Sequence, residues 1–289
     1  MKICRYNDNR LGLVKADQVF DVTSVLATLP AHRYPLPTVD PLIANLKTLM
    51  PAIEAAAQTV QPVPLSSVTL LSPIANPGKI VAAPVNYKAH LAESQADTQI
   101  NFNTKVVEIQ TIGLFLKATS SMIGAGESVK IRHPERRNDH EIELVVIIGK
   151  TADRVSEVDA LDYVAGYCIG LDMTIRGPEE RSMRKSLDSF TVFGPCFVTA
   201  DELNDPSQLN MVLTVNDEPR QNANTRDLII GVRQLISWAS SFYTLHPGDV
   251  IMTGTPEGVA PVQPGDVIHA RIDQIGEMHV HVSALAPKH

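Results

Sequence analysis

His140-Glu-Ile-Glu-Leu-Val-Val-Ile-Ile-Gly149 (HEIELVVIIG) sets two carboxylates two residues apart at the head of an apolar run. Side chains alternate faces along a β-strand. Glu141, Glu143, Val145 and Ile147 therefore share one face, and Ile142, Leu144, Val146 and Ile148 share the other. Both faces turn apolar after Glu143, which predicts a strand covered on both sides. The charges then have two readings. They are a solvated, fraying strand end, or they point into a partly enclosed site. A solvated edge would have kept one polar face, so the apolar continuation favours the enclosed site.

An enclosed pair of carboxylates has a cost. Each raises the pKa of the other, and burying unpaired anions is unfavourable by several kcal/mol each. The enclosed reading therefore calls for cationic charge. Carboxylate oxygens are hard ligands that suit Mg²⁺, Mn²⁺ or Ca²⁺. A third acid ends the next apolar run, Tyr163-Val-Ala-Gly-Tyr-Cys-Ile-Gly-Leu-Asp-Met-Thr174, at Asp172. Antiparallel pairing of the two runs would bring Asp172 beside Glu141. An octahedral ion with three protein ligands keeps positions for water or substrate, which is a catalytic arrangement. A rival site exists at His279 and His281, which share one face of MHVHVS and could bind zinc. No third ligand for it is evident. His140 points away from the face of Glu141 and Glu143 and is not chosen as a ligand.

Around this strand the chain of 289 residues is long enough for one main domain with a smaller companion. Residues 1–70 read as a small N-terminal subdomain, with short strands, a helix near 40–60 and frequent proline. Residues 71–289 read as a β-dominated α+β domain: many short β-rich runs, turn signals such as Asn76-Pro-Gly78, and helical patterns near 156–164 and 227–242. Gly124-Ala-Gly126 lacks a strand–helix context and reads as a turn. Net charge is -7 without a long basic run, so nucleic acid is not an expected partner. Cys4, Cys168 and Cys196 are too far apart for a CxxC pair, and Cys168 and Cys196 lie in apolar runs as buried free thiols would. A reducing cytoplasm fits. MKICRYNDNR lacks the apolar core of a signal peptide, and no apolar run nears the ~20 residues that cross a bilayer. A cytoplasmic location without membrane contact is expected.

Six motifs then line up in one order. They are Val85-Asn-Tyr-Lys-Ala-His90 with Glu93, Phe115-Leu-Lys-Ala-Thr-Ser-Ser121 and His140-Glu-Ile-Glu-Leu144. Gly170-Leu-Asp-Met-Thr174, Arg184-Lys-Ser-Leu-Asp-Ser-Phe190 leading to Gly194-Pro195, and Thr253-Gly-Thr-Pro-Glu-Gly-Val259 follow. With these the chain resembles the fumarylacetoacetate hydrolase superfamily over residues 78–285. The resemblance implies a mixed β-sandwich roll with few helices, a homodimer, and Mg²⁺ or Mn²⁺ held by Glu141, Glu143 and Asp172. It also implies a small 2-oxo acid as substrate. Superfamily members hydrolyse C–C bonds of acylpyruvates, decarboxylate, hydrate or isomerise.

The resemblance assigns further roles. His90 and Glu93 stand three apart, on one face of a helical turn. Spacing alone would make them a surface pair; the resemblance makes them a water-activating dyad on a mobile lid, over the polar segment 92–113. Lys117 and Lys185 match the family's active-site lysines. Thr255 and its glycine turn offer a hydroxyl and N–H groups to a substrate carboxylate, and the Tyr87 hydroxyl is a further candidate. The stretch between Asp172 and Lys185 departs from many relatives, being short and basic. Its Arg176, Arg181 and Arg184 either bind the second carboxylate of a dicarboxylic substrate or pair with Glu179 and Glu180. Ala260 replaces a glycine often found after the Thr253–Val259 turn. The expectation is a metal-dependent hydrolase of acylpyruvates such as maleylpyruvate or fumarylpyruvate. The alternatives are an isomerase or decarboxylase of a related 2-oxo dicarboxylate, oxaloacetate included, and a non-catalytic 2-oxo-acid-binding protein.

Overall fold

The structure, a computed structural model, describes residues 1–203 and 205–285. The expected β-dominated α+β architecture is present. The stretch 140–149 forms the strand Ile142–Ile148, every residue of it buried. It lies inside the largest sheet, between the antiparallel strands Val164–Asp172 and Val250–Met252. The parallel strand Ile80–Ala82 and then Phe115–Lys117 continue the sheet on one side. On the other side come Thr191–Thr199 and the N-terminal strands Lys2–Tyr6, Arg10–Lys15 and Gln18–Asp21.

The two faces of Ile142–Ile148 enter two different cores, as the alternation predicts. Ile142, Leu144, Val146 and Ile148 pack in a cluster with Met211, Leu213, Ile268 and Ala270 from the second sheet. That sheet runs Glu218–Asn224, Asn210–Val215, Val267–Ile272, Gly276–Ala284 and Ser128–Ile131. Val145 and Ile147 pack in the other cluster, with Leu46, Leu49 and Ile53. Those three line the buried side of the helix Leu46–Ala57. At ~25 cal/mol per Å² of apolar surface removed from water, this double coverage is a large favourable contribution.

Some local expectations shift. The N-terminal helix divides: Asp40 caps Pro41–Ala44 by accepting from the N–H groups of Leu42 and Ile43, and a second helix follows at Leu46–Ala57. The pattern at 156–164 forms only the short 3-10 turn Ala160–Tyr163, because Ala160 alone of its residues is buried. The pattern at 227–242 becomes the helix Val232–Phe242, which buries Val232, Leu235, Ile236 and Ala239 at helical spacing. Residues 1–70 are tied into the main sheet through Lys2 opposite Val198 and Ile3 opposite Phe197, so that sheet runs unbroken past residue 70. Of residues 71–289, Asn204 and 286–289 lie outside the described residues. Among the described residues no helix is long and apolar enough to cross a membrane. Cys4, Cys168 and Cys196 are all buried free thiols.

Candidate active site

Antiparallel register assembles the carboxylates. Ile142 lies opposite Leu171 and Glu143 opposite Gly170. The Asp172 N–H donates to the Glu141 carbonyl at 2.9 Å, which locks the strand ends together. Glu141, Glu143 and Asp172 then offer oxygens within 4.8 Å of one another, and all three residues are buried. Among the described residues this is the one such cluster of three potential ligands.

Two lysines enter this cluster. Lys185, on the short helix Arg181–Lys185, donates to Glu141 Oε2 at 2.6 Å, Asp172 Oδ2 at 2.7 Å and Thr174 Oγ1 at 2.6 Å. Lys117, at the end of its strand, donates to the other oxygen of Asp172 and to the Phe190 carbonyl at 2.9 Å. Arg176 adds a bond to Glu141 Oε1 at 3.0 Å and one to Asp139 Oδ2 at 2.7 Å. Burial raises the Glu141 carboxyl, but the charges of Lys185 and Arg176 outweigh it and hold Glu141 well below the usual carboxylate range. Burial pushes the Lys117 ammonium down, against the attraction of Asp172.

Glu143 differs. Among the described residues its one hydrogen bond is from the Gly254 N–H to Oε2, at 2.7 Å. Burial and the neighbouring negative charge of Asp172 push its carboxyl well above the usual range. The donor set therefore fits a hard divalent ion: all ligands are carboxylate oxygens, and one of them has no basic partner. Gly254 can serve there because its φ of +100° places it in the left-handed region. A Cβ at that position would also lie 2.7 Å from the Cβ of Asn86.

The dyad also forms. His90 and Glu93 sit on the helix Lys88–Ala96, with His90 Nδ1 2.8 Å from Glu93 Oε2. A carboxylate accepts, so Nδ1 carries a hydrogen, and Nε2 is the ring nitrogen that Glu93 leaves unengaged. Glu93 Oε1 accepts from the Gly258 N–H at 2.9 Å, which ties the helix to the Thr253–Val259 turn. Ser94, Ile100, Phe102, Lys105 and Val106 of segment 92–113 line a cavity of about 200 Å³ together with His90, Glu141, Glu143 and Asp172. Thr255, Arg176, Arg181, Arg184 and Lys185 line it too.

Not every candidate is brought in. The Tyr87 side chain is buried in the core, 3.4 Å from Met211 Sδ, and does not line the cavity. Its position just before the helix Lys88–Ala96 turns it inward. Neither sequence reading of the arginines holds whole. Glu179 is held by Arg136 at 2.7 and 3.0 Å, and Glu180 caps the helix Arg181–Lys185 by accepting from the Ser182 N–H. Arg176 is spent on Asp139 and Glu141, and Arg184 donates to the Glu179 carbonyl at 2.8 Å. Arg181 lies over the Phe115 ring at 5.6 Å, and its guanidinium has no hydrogen-bond partner among the described residues. His279 is an exposed strand residue stacked on His269 at 4.3 Å, remote in the sheet order from the carboxylates.

Sequence reading missed Asp139 and Gln221. Asp139 shares the alternation of Glu141 and Glu143 and could have been found by extending it one step back. Gln221 carries no local signal, since its partners are 34 and 79 residues away.

Comparison with known proteins gives the family. The family described as fumarylacetoacetate (FAA) hydrolase C-terminal matches residues 79–283. A maleylpyruvate hydrolase of Aquipseudomonas alcaligenes is 57% identical over 287 residues, covering 99% of this chain and all of the relative. A crystal structure of maleylpyruvate hydrolase from Sphingobium sp. SYK-6, in complex with manganese(II) ion and pyruvate, superposes with a TM-score of 0.84 at 42% identity, over 99% of this chain and 100% of that one. A mitochondrial oxaloacetate tautomerase of Homo sapiens is 34% identical over 242 residues, 79% of this chain and 74% of the relative. By the extent of these matches the chain belongs to the fumarylacetoacetate hydrolase family.

Proposed function

We propose that this chain is a divalent-metal-dependent hydrolase of acylpyruvates, with maleylpyruvate as the substrate its cavity suits. The observation that carries this reading is that one cavity is lined both by the carboxylate cluster and by His90, the imidazole that Glu93 binds. The full-length relative named maleylpyruvate hydrolase supports it.

Glu141, Glu143 and Asp172 would hold Mg²⁺ or Mn²⁺. When bound, the ion supplies Lewis-acid charge at the 2-oxo acid end of the substrate, where cleavage leaves an enolate. Lys117, Lys185 and Arg176 hold Asp172 and Glu141 in place and offset their charge. Thr255 donates its hydroxyl to the 2-oxo acid carboxylate. Arg181, which lines the cavity over the Phe115 ring and has no hydrogen-bond partner among the described residues, meets the carboxylate at the far end of a dicarboxylic substrate.

His90 Nε2 takes a proton from a water whose oxygen bonds to the carbonyl carbon distal to the 2-oxo acid. The bond from that carbon to the methylene then breaks. Its electron pair leaves with the pyruvate fragment as an enolate, and the methylene carbon takes the proton back from His90. The other fragment carries the new carboxyl and leaves as maleate. Glu93 keeps Nδ1 protonated and stabilises the imidazolium while Nε2 holds the proton. The segment 92–113 excludes bulk water.

The reading places this machinery beyond residue 70, with residues 1–70 as a supporting subdomain; the cavity lining begins at Ala83. It also carries a homodimer in a reducing cytoplasm, to which three buried free thiols are suited. The test is pyruvate release from a panel of acylpyruvates and oxaloacetate, with Mg²⁺, with Mn²⁺ and with EDTA. Metal-dependent release of pyruvate with a matching second acid is expected. Turnover of oxaloacetate alone, by CO₂ release or tautomerisation, would overturn the hydrolase reading.

A further inference from the structure

Gln221 sits in the strand Glu218–Asn224 of the second sheet, 1% exposed, and reaches toward the cavity wall. Its amide makes four contacts. Oε1 is 3.0 Å from the Ile142 nitrogen and 3.2 Å from His140 Nδ1. Nε2 is 2.8 Å from Thr255 Oγ1 and 2.9 Å from the Pro256 carbonyl.

Chemistry fixes the orientation of this amide. The Ile142 N–H can only donate, so the atom facing it must be the oxygen. The Pro256 carbonyl can only accept, so the atom facing it must be the nitrogen. A flipped amide would set N–H against N–H and oxygen against oxygen. Two consequences follow. His140 Nδ1 faces an acceptor and must carry a hydrogen, and His140 Nε2 has no partner among the described residues. Thr255 Oγ1 faces an N–H and must accept, so its own hydrogen is free to turn elsewhere. Thr255 lines the cavity, and its hydroxyl donates to no other group among the described residues.

We propose that Gln221 is a positioning residue that makes Thr255 a hydrogen-bond donor to the substrate carboxylate. This rests on the reading of Thr255 as a carboxylate ligand. Gln221 also ties the Thr253–Val259 turn to the head of the strand that carries Glu141 and Glu143, so one side chain sets the donor and holds it against the ligand strand. With Gln221→Glu, a carboxylate oxygen replaces Nε2. The Thr255 hydroxyl then turns its hydrogen to that oxygen and shows a lone pair to the cavity.

The experiment is a double-mutant cycle on pyruvate binding, measured by calorimetry on the Mg²⁺-loaded enzyme with Gln221→Glu, Thr255→Val and the pair. Each single change is expected to weaken pyruvate by about 10- to 100-fold, the scale of a lost hydrogen bond to a charged group. The pair is expected to lose no more than Thr255→Val alone, and kcat is expected to change less than KM. Losses that multiply in the pair would overturn the role of Gln221 while leaving Thr255 as a ligand. Unchanged binding in Thr255→Val would overturn the reading of Thr255 and this inference with it. Should Gln221→Glu fail to fold, long-range ¹H–¹⁵N spectra of the wild-type Mg²⁺ enzyme decide. A hydrogen on Nδ1 of His140 supports the amide orientation, and an Nδ1 without one overturns it.

Discussion

Glu93 binds His90 with one carboxylate oxygen, at 2.8 Å, and the backbone N–H of Gly258 with the other, at 2.9 Å. One side chain thus orients the proposed base and fastens the covering helix to the turn that carries Thr255. Gly258 meets this need because its φ is +91° and a Cβ there would come within 2.0 Å of the Arg220 carbonyl. The prediction is that His90→Ala lowers kcat by about 10²-fold or more, the scale of a lost general base. Mn²⁺ affinity, read by calorimetry, stays the same because His90 is outside the ligand set. Unchanged turnover would remove His90 from the mechanism.

Glu143 leads to a prediction of opposite signs with and without metal. Its raised pKa means that in the metal-free protein burial of the charged form is unfavourable above the ordinary carboxylate pKa. Glu143→Gln keeps an acceptor for the Gly254 N–H and removes that charge. The metal-free variant should melt at the temperature of the metal-free wild type or above it. The rise in melting temperature that Mn²⁺ gives the wild type should be lost. Thermal melts with Mn²⁺ and with EDTA check both halves, and a less stable metal-free variant counts against the assignment.

Arg181 should separate substrates by their far end. Arg181→Met is expected to raise KM for maleylpyruvate by about 10- to 100-fold, as expected for a lost charged hydrogen bond. Acetylpyruvate, which has no second carboxylate, should be little affected. Steady-state kinetics on the two substrates give the comparison. An equal effect on both would assign Arg181 to general packing on Phe115.

The covering segment also has a pH-sensitive fastening. Asp97 caps the turn Thr98–Asn101 and pairs with Arg137 at 3.0 Å. Slight burial raises its carboxyl, but hydrogen bonds from the Gln99 N–H and Arg137 outweigh this and hold it below the usual range. A carboxyl lowered in the folded state contributes stability above its unfolded pKa of about 3.9 and loses it as pH falls through the folded value. Asp97→Ala should therefore cost about 1 kcal/mol near neutral pH, the usual scale of a lost cap. That difference should vanish well below pH ~3.9. A cost that persists there in chemical denaturation would mean that the charge is not what holds the cap.

The site was legible where chemistry follows strand alternation. Glu141 and Glu143 declare themselves by two-residue spacing, and Asp172 by ending the next apolar run, because an antiparallel pair brings a strand end beside a strand start. The two-sided burial of Ile142–Ile148 was readable for the same reason. Tyr87 was misread because a side chain at the entry to a helix takes its direction from tertiary packing, here against Met211. The pairing of Arg176 with Asp139 depends on strands that meet only in three dimensions, with Asn138 opposite Ile175 and Asp139 opposite Thr174. Gln221 acts across two sheets, and no pattern in its own strand reports that.

The most direct test of the account follows the attacking oxygen. Maleylpyruvate is turned over with Mn²⁺ in oxygen-18 water, and the maleate formed is analysed by mass spectrometry. Water attack on the distal carbonyl predicts one solvent oxygen in each maleate, formed one-to-one with pyruvate and abolished by EDTA. Maleate without solvent oxygen, or consumption of substrate with no maleate, would contradict it.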